Sequence, residues 1–159
     1  MRTILVALAL GLGACQAALP LGRVPAPSPD FAGGSGQLSG TAWRLIGFQS
    51  SDDSIGVLRP SAEARYTVAF EAGGRALLQL DCNRGEARWV KERNAAATGG
   101  QLAFSQIETT NARCPQPSLS QRLARDLAYV RSYLIRDGRL YMSLFADGGI
   151  YEWEPLPPQ

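Results

Sequence analysis

The chain has 159 residues, 45% hydrophobic and 19% charged, which suits one soluble domain with a core of its own. Lys and Arg number 16 against 14 Asp and Glu, and the resulting +2 is scattered from Arg23 to Arg139, which argues against the concentrated basic stripe of a nucleic-acid groove. There is no histidine, so the commonest general base and the commonest metal ligand are both missing.

Arg2 precedes an apolar run from Ile4 to Leu12, too short to span a bilayer but suited to the core of a secretory signal. Leu12, Gly13, Ala14 and Cys15 resemble a bacterial lipobox, in which small residues precede a cysteine that is lipidated and becomes the new N-terminus. Residues 1–14 are therefore read as a lipoprotein signal peptide and Cys15 as the lipidation site. An ordinary signal cleaved after Ala14 or Ala18 is the plainer alternative. Several acyl chains on Cys15 would hold the protein at a membrane, where one chain binds only marginally. Gln16, standing where an aspartate would retain a lipoprotein at the inner membrane, points to an outer-membrane anchor with the domain facing the periplasm. Residues 15–37 carry Pro20, Pro25, Pro27 and Pro29, then Gly33, Gly34 and Gly36, a composition that cannot bury enough apolar surface to offset its ordering entropy. They read as a tether, and the domain as residues 38–155.

Ala42 to Phe48 alternates around Trp43 and Leu45 as a first strand, and Ser50 to Ser54 is a polar loop whose Asp52 and Asp53 lack the alternating oxygen ligands of a calcium site. Tyr66, Val68 and Phe70 share one face of a second strand. Gly73 and Gly74 then turn the chain into a third, with Ala76, Leu78, Leu80 and Cys82 on one face and the Cys82 sulfur pointing inward. Asp81 to Gly85 is expected to be a turn, because Asn83 and Gly85 tolerate positive φ. Ala87 to Val90 returns as a fourth strand, Arg93 to Gly100 is loop, and Leu102, Phe104 and Ile107 belong to a fifth.

After Cys114 and Pro115 the period changes. Ser118 and Gln121 form a capping-box pattern, and Leu119, Leu123, Leu127 and Val130 recur at helical spacing. Asp137-Gly138 then joins Tyr133–Ile135 to Leu140–Phe145, and a last hairpin through Asp147, Gly148 and Gly149 leads to Tyr151 and Trp153. The fold class is mainly β with one helix (α+β): about eight antiparallel strands in a curved, barrel-like sheet, with the helix able to plug one end. Cys82 and Cys114, the two cysteines of the domain, are expected to be joined, since an exported protein meets an oxidising compartment.

Trp43, Tyr66 to Phe70, the Asp81-Cys82-Asn83 turn, the Thr109, Thr110, Ala112, Cys114, Pro115 segment, the leucine helix and Leu140 to Leu144 together resemble the META domain family. That family includes HslJ-type heat-shock lipoproteins. The resemblance covers roughly Leu38 to Pro155 and departs from the pattern at Asp81, where glycine is expected, and around Glu92 to Thr98. It implies a small antiparallel β domain of the bacterial envelope, associated with heat stress or resistance to an amphiphilic antibiotic and without an established catalytic activity. Cys82, Asn83, Gly85, Thr109, Thr110, Cys114 and Pro115 are then structural motif residues.

Catalysis would need an activated group. Lys91 is the only lysine and has no serine at a recognisable spacing; Glu86, Glu108 and Asp126 are the carboxylates that could approach one another, but such acids commonly sit on solvated strands. No catalytic residue, metal ligand or cofactor is therefore assigned. Binding is the other class: Trp43, Trp89 and Trp153 are candidate contacts for a small apolar ligand, with core packing the plainer account of such aromatics. The reading is a non-catalytic envelope module for stress resistance or for binding an envelope protein. The alternatives are a periplasmic inhibitor of a cell-wall hydrolase and a barrel that holds a small apolar ligand.

Overall fold

The computed structural model describes residues 38–91 and 98–157. The signal peptide, Cys15 and the tether lie outside the described residues, as does most of the departure at Glu92 to Thr98. The elements are β1 (Thr41–Gln49), β2 (Val57–Leu58), β3 (Tyr66–Phe70), β4 (Arg75–Leu80), β5 (Asn83–Lys91), β6 (Gly99–Phe104), β7 (Glu108–Thr109), α1 (Ser120–Leu127), β8 (Val130–Arg136), β9 (Arg139–Leu144) and β10 (Ile150–Pro155).

The longer strands run in the order β10-β9-β8-β6-β5-β4-β3-β1, all antiparallel, and β1 pairs again with β10. The sheet is thus closed, as the turn pattern predicts, which leaves no long free edge. The two-residue strands β2 and β7 are added to β1 and β5. Alternation decides which side chains go inside. Tyr66, Val68 and Phe70 of β3 and Ala76, Leu78 and Leu80 of β4 are buried and face their register partners. The interior is one contiguous cluster in which Trp89, Trp153, Tyr66, Tyr151, Phe48 and Phe70 are almost wholly buried. Each fully buried large side chain of this kind contributes about 1.5–3 kcal/mol. Phe70 packs edge-on against Trp89 at 5.2 Å between centroids, and Phe48 against Tyr151 at 4.4 Å.

The helix closes the end of the barrel at which β3, β5 and β10 begin. Leu123 and Leu127 turn into the core, Tyr66 Oη accepts the backbone N–H of Leu119 at 2.7 Å, and Tyr151 reaches Asp126. The capping box is not formed: the N-cap is Leu119, with no side-chain cap bond. The Ser118 hydroxyl instead donates to Asp81 Oδ2 at 2.7 Å, so the side chain that would cap the helix ties it to the β4–β5 turn. Val130 is not on the helical stripe but opens β8, and Ile107 falls between β6 and β7.

Three further expectations are corrected at the β4–β5 hairpin. The turn is only Asp81 and Cys82, because Leu80 already pairs with Asn83. Asn83 and Gly85 are therefore strand residues; the positive φ of 61° falls on Asp81, at the position where the family pattern has glycine. Cys82, being in the turn and not on the strand, is exposed instead of facing inward. β5 also begins four residues before the expected Ala87, and β6 at Gly99, inside the expected loop.

Candidate functional site

Two places combine unusual chemistry with a fixed geometry. The first is the junction of the β4–β5 turn with the segment that leads into α1. Cys82 and Cys114 form a disulfide across it. Between these segments lies the side chain of Asn83, 4% exposed and held in place by the Leu80 pairing of its backbone. Its Nδ2, with two hydrogens to share, has Ala112 O at 3.0 Å, Ser120 Oγ at 3.1 Å and Cys114 Sγ at 3.3 Å as acceptors. Its Oδ1 accepts from Ala112 N at 2.7 Å and Thr110 Oγ1 at 3.0 Å. A buried amide must find such partners or lose the free energy of dehydrating it. Apart from the neighbouring Cys82 sulfur, 3.7 Å from Nδ2, every partner comes from the incoming segment, so one side chain organises residues 110–120 against the sheet.

The other motif residues explain themselves around this amide. Thr110 Oγ1 also accepts the Arg84 N–H at 3.0 Å, while Thr109 pairs with Gly85 in β7. A Cβ on Gly85 would stand 3.2 Å from Glu108 O and 3.2 Å from the Ile107 side chain, so glycine here lets β7 lie close to β5. Pro115 follows the disulfide in an exposed stretch that carries the chain towards α1. A polar recess of about 610 Å³, lined among others by Asn83, Arg113, Cys114, Gln116 and Ser118, opens beside this junction.

The second place is a broad open groove on the outer face of the barrel, about 1220 Å³ in volume, across β1, β3, β4 and β5. Ala42, Thr67 and Ala69 alternate outward between buried neighbours and form a shallow floor of small side chains. Leu77 and Gln79 of β4 flank it, and the C-terminal Leu156, whose N–H is bonded to Ala42 O at 2.8 Å, borders the other side. Leu77 is 36% exposed, an apolar side chain on a face where charge would be ordinary.

The sequence-derived candidates divide between these places and the core. Trp89 and Trp153 lie in the core, 1% and 0% exposed, while Trp43, 5% exposed, is also among the residues that line the groove. Trp43 Nε1 donates to Thr41 Oγ1 and Trp89 Nε1 to Arg75 O, so both indoles are satisfied within the protein. Glu86 and Glu108 face each other across β5 and β7 and are among the residues that line the groove, with Arg75 3.9 Å from Glu86. Asp126 is apart from them, buried against Tyr151. Lys91 pairs with Leu102 towards the end of β5. Among the described residues there is no group of three or more Cys, Asp and Glu side chains able to hold a metal ion.

With barrel, capping helix and cysteine-linked junction in place, comparison with known proteins is decisive for the family. The model of the META domain matches residues 36–151. The chain belongs to the META domain family. A comparison with curated proteins gives no significant match. The crystal structure of a DUF4847 family protein from Bacteroides vulgatus is similar in fold, with a TM-score of 0.50 at 12% identity, over 77% of this chain and 96% of that one. For this META domain that likeness concerns the fold alone.

Two features of the site escape sequence reasoning. The role of Asn83 is hidden because asparagine before a glycine two residues on looks like turn chemistry. The groove is hidden because its lining comes from separate strands whose outward residues, Ala42, Ala69 and Leu77, are unremarkable one at a time. The signal that could have found it is the run of small or apolar residues at successive outward positions of neighbouring strands.

Proposed function

We propose that this META domain is a non-catalytic binding module, lipid-anchored in the bacterial envelope through Cys15, that holds an envelope partner on the outside of its barrel. The observation that carries the reading is the contrast between the two faces of the sheet. The inside is occupied by large side chains packed against one another, Trp89, Trp153, Tyr151 and Phe70 among them. The outside carries a wide groove with small residues on its floor and the exposed Leu77 beside it. Concave, partly apolar surface with a few polar groups around it is what binding sites are made of. A role in stress resistance fits a module of this kind, since anchored binding at the envelope needs no turnover.

The test is cross-linking in the cell of origin with a photoreactive residue placed either at Leu77, on the groove, or at Ile150, similarly exposed at the start of β10 and not part of the lining. Light-dependent adducts are expected from the Leu77 position and not from Ile150. Adducts of equal yield from both positions, or none from either, would overturn the assignment of the groove.

A further inference from the structure

We propose that Cys82 is a site of S-thiolation, at which a small or protein thiol opens the Cys82–Cys114 disulfide with Cys114 as the leaving sulfur. The two ends of the bond sit in different surroundings. Cys82 occupies the exposed two-residue turn, whereas Cys114 is 6% exposed. Thiol–disulfide exchange requires a thiolate to approach one sulfur, and access decides which sulfur is attacked. Access favours Cys82.

The leaving sulfur is prepared as well. Asn83 Nδ2 lies 3.3 Å from Cys114 Sγ against 3.7 Å from Cys82 Sγ, and the amide is fixed by Ala112 and Ser120. Its two hydrogens are shared among these acceptors, and one that turns to Cys114 stabilises the negative charge that grows there as the bond breaks. Burial of Cys114 opposes that charge. The polar recess lined by Asn83, Gln116 and Ser118 offsets part of the cost, because Cys114 faces this recess and not the apolar interior.

The step balances without a further reactant. The incoming thiolate supplies an electron pair to Cys82 Sγ, the Cys82–Cys114 bond breaks, and its electron pair leaves on Cys114. The products are a mixed disulfide at Cys82 and a thiolate at Cys114, which takes a proton from solvent. Because Asn83 Oδ1 still accepts from Ala112 N and Thr110 Oγ1, residues 110–120 stay on the sheet after the link is cut. Cys114 therefore remains beside Cys82 and can expel the bound thiol again, so the modification is reversible.

The test uses the full-length oxidised protein and glutathione as the probe. A short incubation at millimolar glutathione is stopped with acid, free thiols are alkylated, and trypsin then separates the two cysteines into peptides 76–84 and 114–122. At least tenfold more glutathione adduct is expected on peptide 76–84, with the alkyl group on peptide 114–122. The same reaction in guanidinium chloride should bring the ratio close to one, since the unfolded chain has neither the turn nor the amide. Equal labelling in the folded protein, a preference for peptide 114–122, or no adduct under conditions that modify the unfolded chain would each overturn the proposal.

Discussion

The phenol of Tyr151 donates a 2.7 Å hydrogen bond to Asp126 Oδ2, joining the first turn of β10 to the last turn of α1 in a buried contact. Burial, and after it the bond to Asp126, hold the Tyr151 phenol well above the ordinary tyrosine range, and burial alone raises Tyr133. In the unfolded chain both phenols lose their protons near pH 10. The folded state keeps them longer, so it binds more protons there, and stability must fall as pH rises above about 10 while remaining full below it. Each tyrosine contributes at most about 1.4 kcal/mol per pH unit to that slope. Tyr151→Phe should lower stability at pH 7 by about 1–3 kcal/mol, since Asp126 loses its buried donor, and should flatten the decline above pH 10. Urea denaturation midpoints measured from pH 7 to 11 check both; an unchanged alkaline slope would show that Tyr151 titrates normally in the fold.

Asn83 is expected to be the most sensitive polar position of the domain. Removing its amide leaves the buried Ser120 hydroxyl and the groups of Ala112 and Thr110 without this partner. Asn83→Ala should cost about 2–4 kcal/mol by chemical denaturation with the disulfide intact. Asn83→Asp should cost at least as much at neutral pH, because a carboxylate replaces the donor that faces Ala112 O with a like-charged acceptor. Thr109→Ala, an exposed neighbour, should stay within about 0.5 kcal/mol. A mild Asn83→Ala would mean that the segment 110–120 is held by the disulfide and α1 alone.

These two contacts show what was legible in the sequence and what was not. The alternation of Tyr66, Val68 and Phe70, the Asp137-Gly138 turn and the Leu123 and Leu127 stripe are local signals, and each survives in the fold. The disulfide was legible from the pair of cysteines in the domain and the export expected from the N-terminal sequence. What local pattern could not show was competition from distant partners. Ser118 has the sequence of a helix cap, but Asp81 takes its hydroxyl. Asn83 has the sequence of a turn residue, but its side chain is bonded across the junction to Thr110, Ala112, Cys114 and Ser120 while its backbone pairs with Leu80 in the sheet. Asp81 adopts the left-handed conformation in glycine's place while its carboxylate accepts the Ser118 bond, so the departure from the family pattern brings its own compensation. β2 and β7 are two residues long and exist only because a longer neighbour offers an edge.

The disulfide itself closes a loop between residues 32 apart in sequence. Constraining the unfolded chain to that extent is worth between about 3 and 4 kcal/mol of entropy. The pair of changes Cys82→Ala and Cys114→Ala should lower Tm by about 5–15 °C and leave the far-ultraviolet circular dichroism of the folded state unchanged. Loss of the folded signal at 25 °C would show that Asn83 cannot hold the junction without the covalent link.

Gly149 is the backbone position at which substitution should be least tolerated. Its φ is 122°, and a Cβ there would stand 2.5 Å from Gln49 O and 2.8 Å from the Phe48 ring, with backbone on one side and a buried aromatic on the other. Gly149→Ala must therefore displace β10 from β1 at the seam that closes the barrel, at a cost of roughly 3 kcal/mol or more. Gly138 has φ 74° with nothing within 4 Å of its Cβ position, so Gly138→Ala bears backbone strain only, roughly 1 kcal/mol. Denaturation of the two variants side by side separates packing from conformation, and equal losses would mean that the Gly149 contact relaxes without expense.

The last prediction concerns the anchor on which the proposed function depends. Leu12, Gly13 and Ala14 place Cys15 at the end of the apolar run, and Gln16 follows it without an acidic retention signal. Radiolabelled palmitate should enter the wild-type protein and not Cys15→Ser, and the labelled protein should fractionate with the outer membrane. The domain begins at Leu38, two residues before Gly40 bonds to Phe70 O at the end of the barrel opposite α1. Gly40 also lines the groove, so the anchored chain enters the domain beside it, and the exposed Leu77 on β4 is the part of the groove left for a partner. Cys15→Ser should abolish palmitate entry and outer-membrane association while the purified domain keeps its folded state. Equal labelling of the two proteins would remove the anchor from the account, and recovery of the labelled form in the inner membrane would overturn the reading of Gln16.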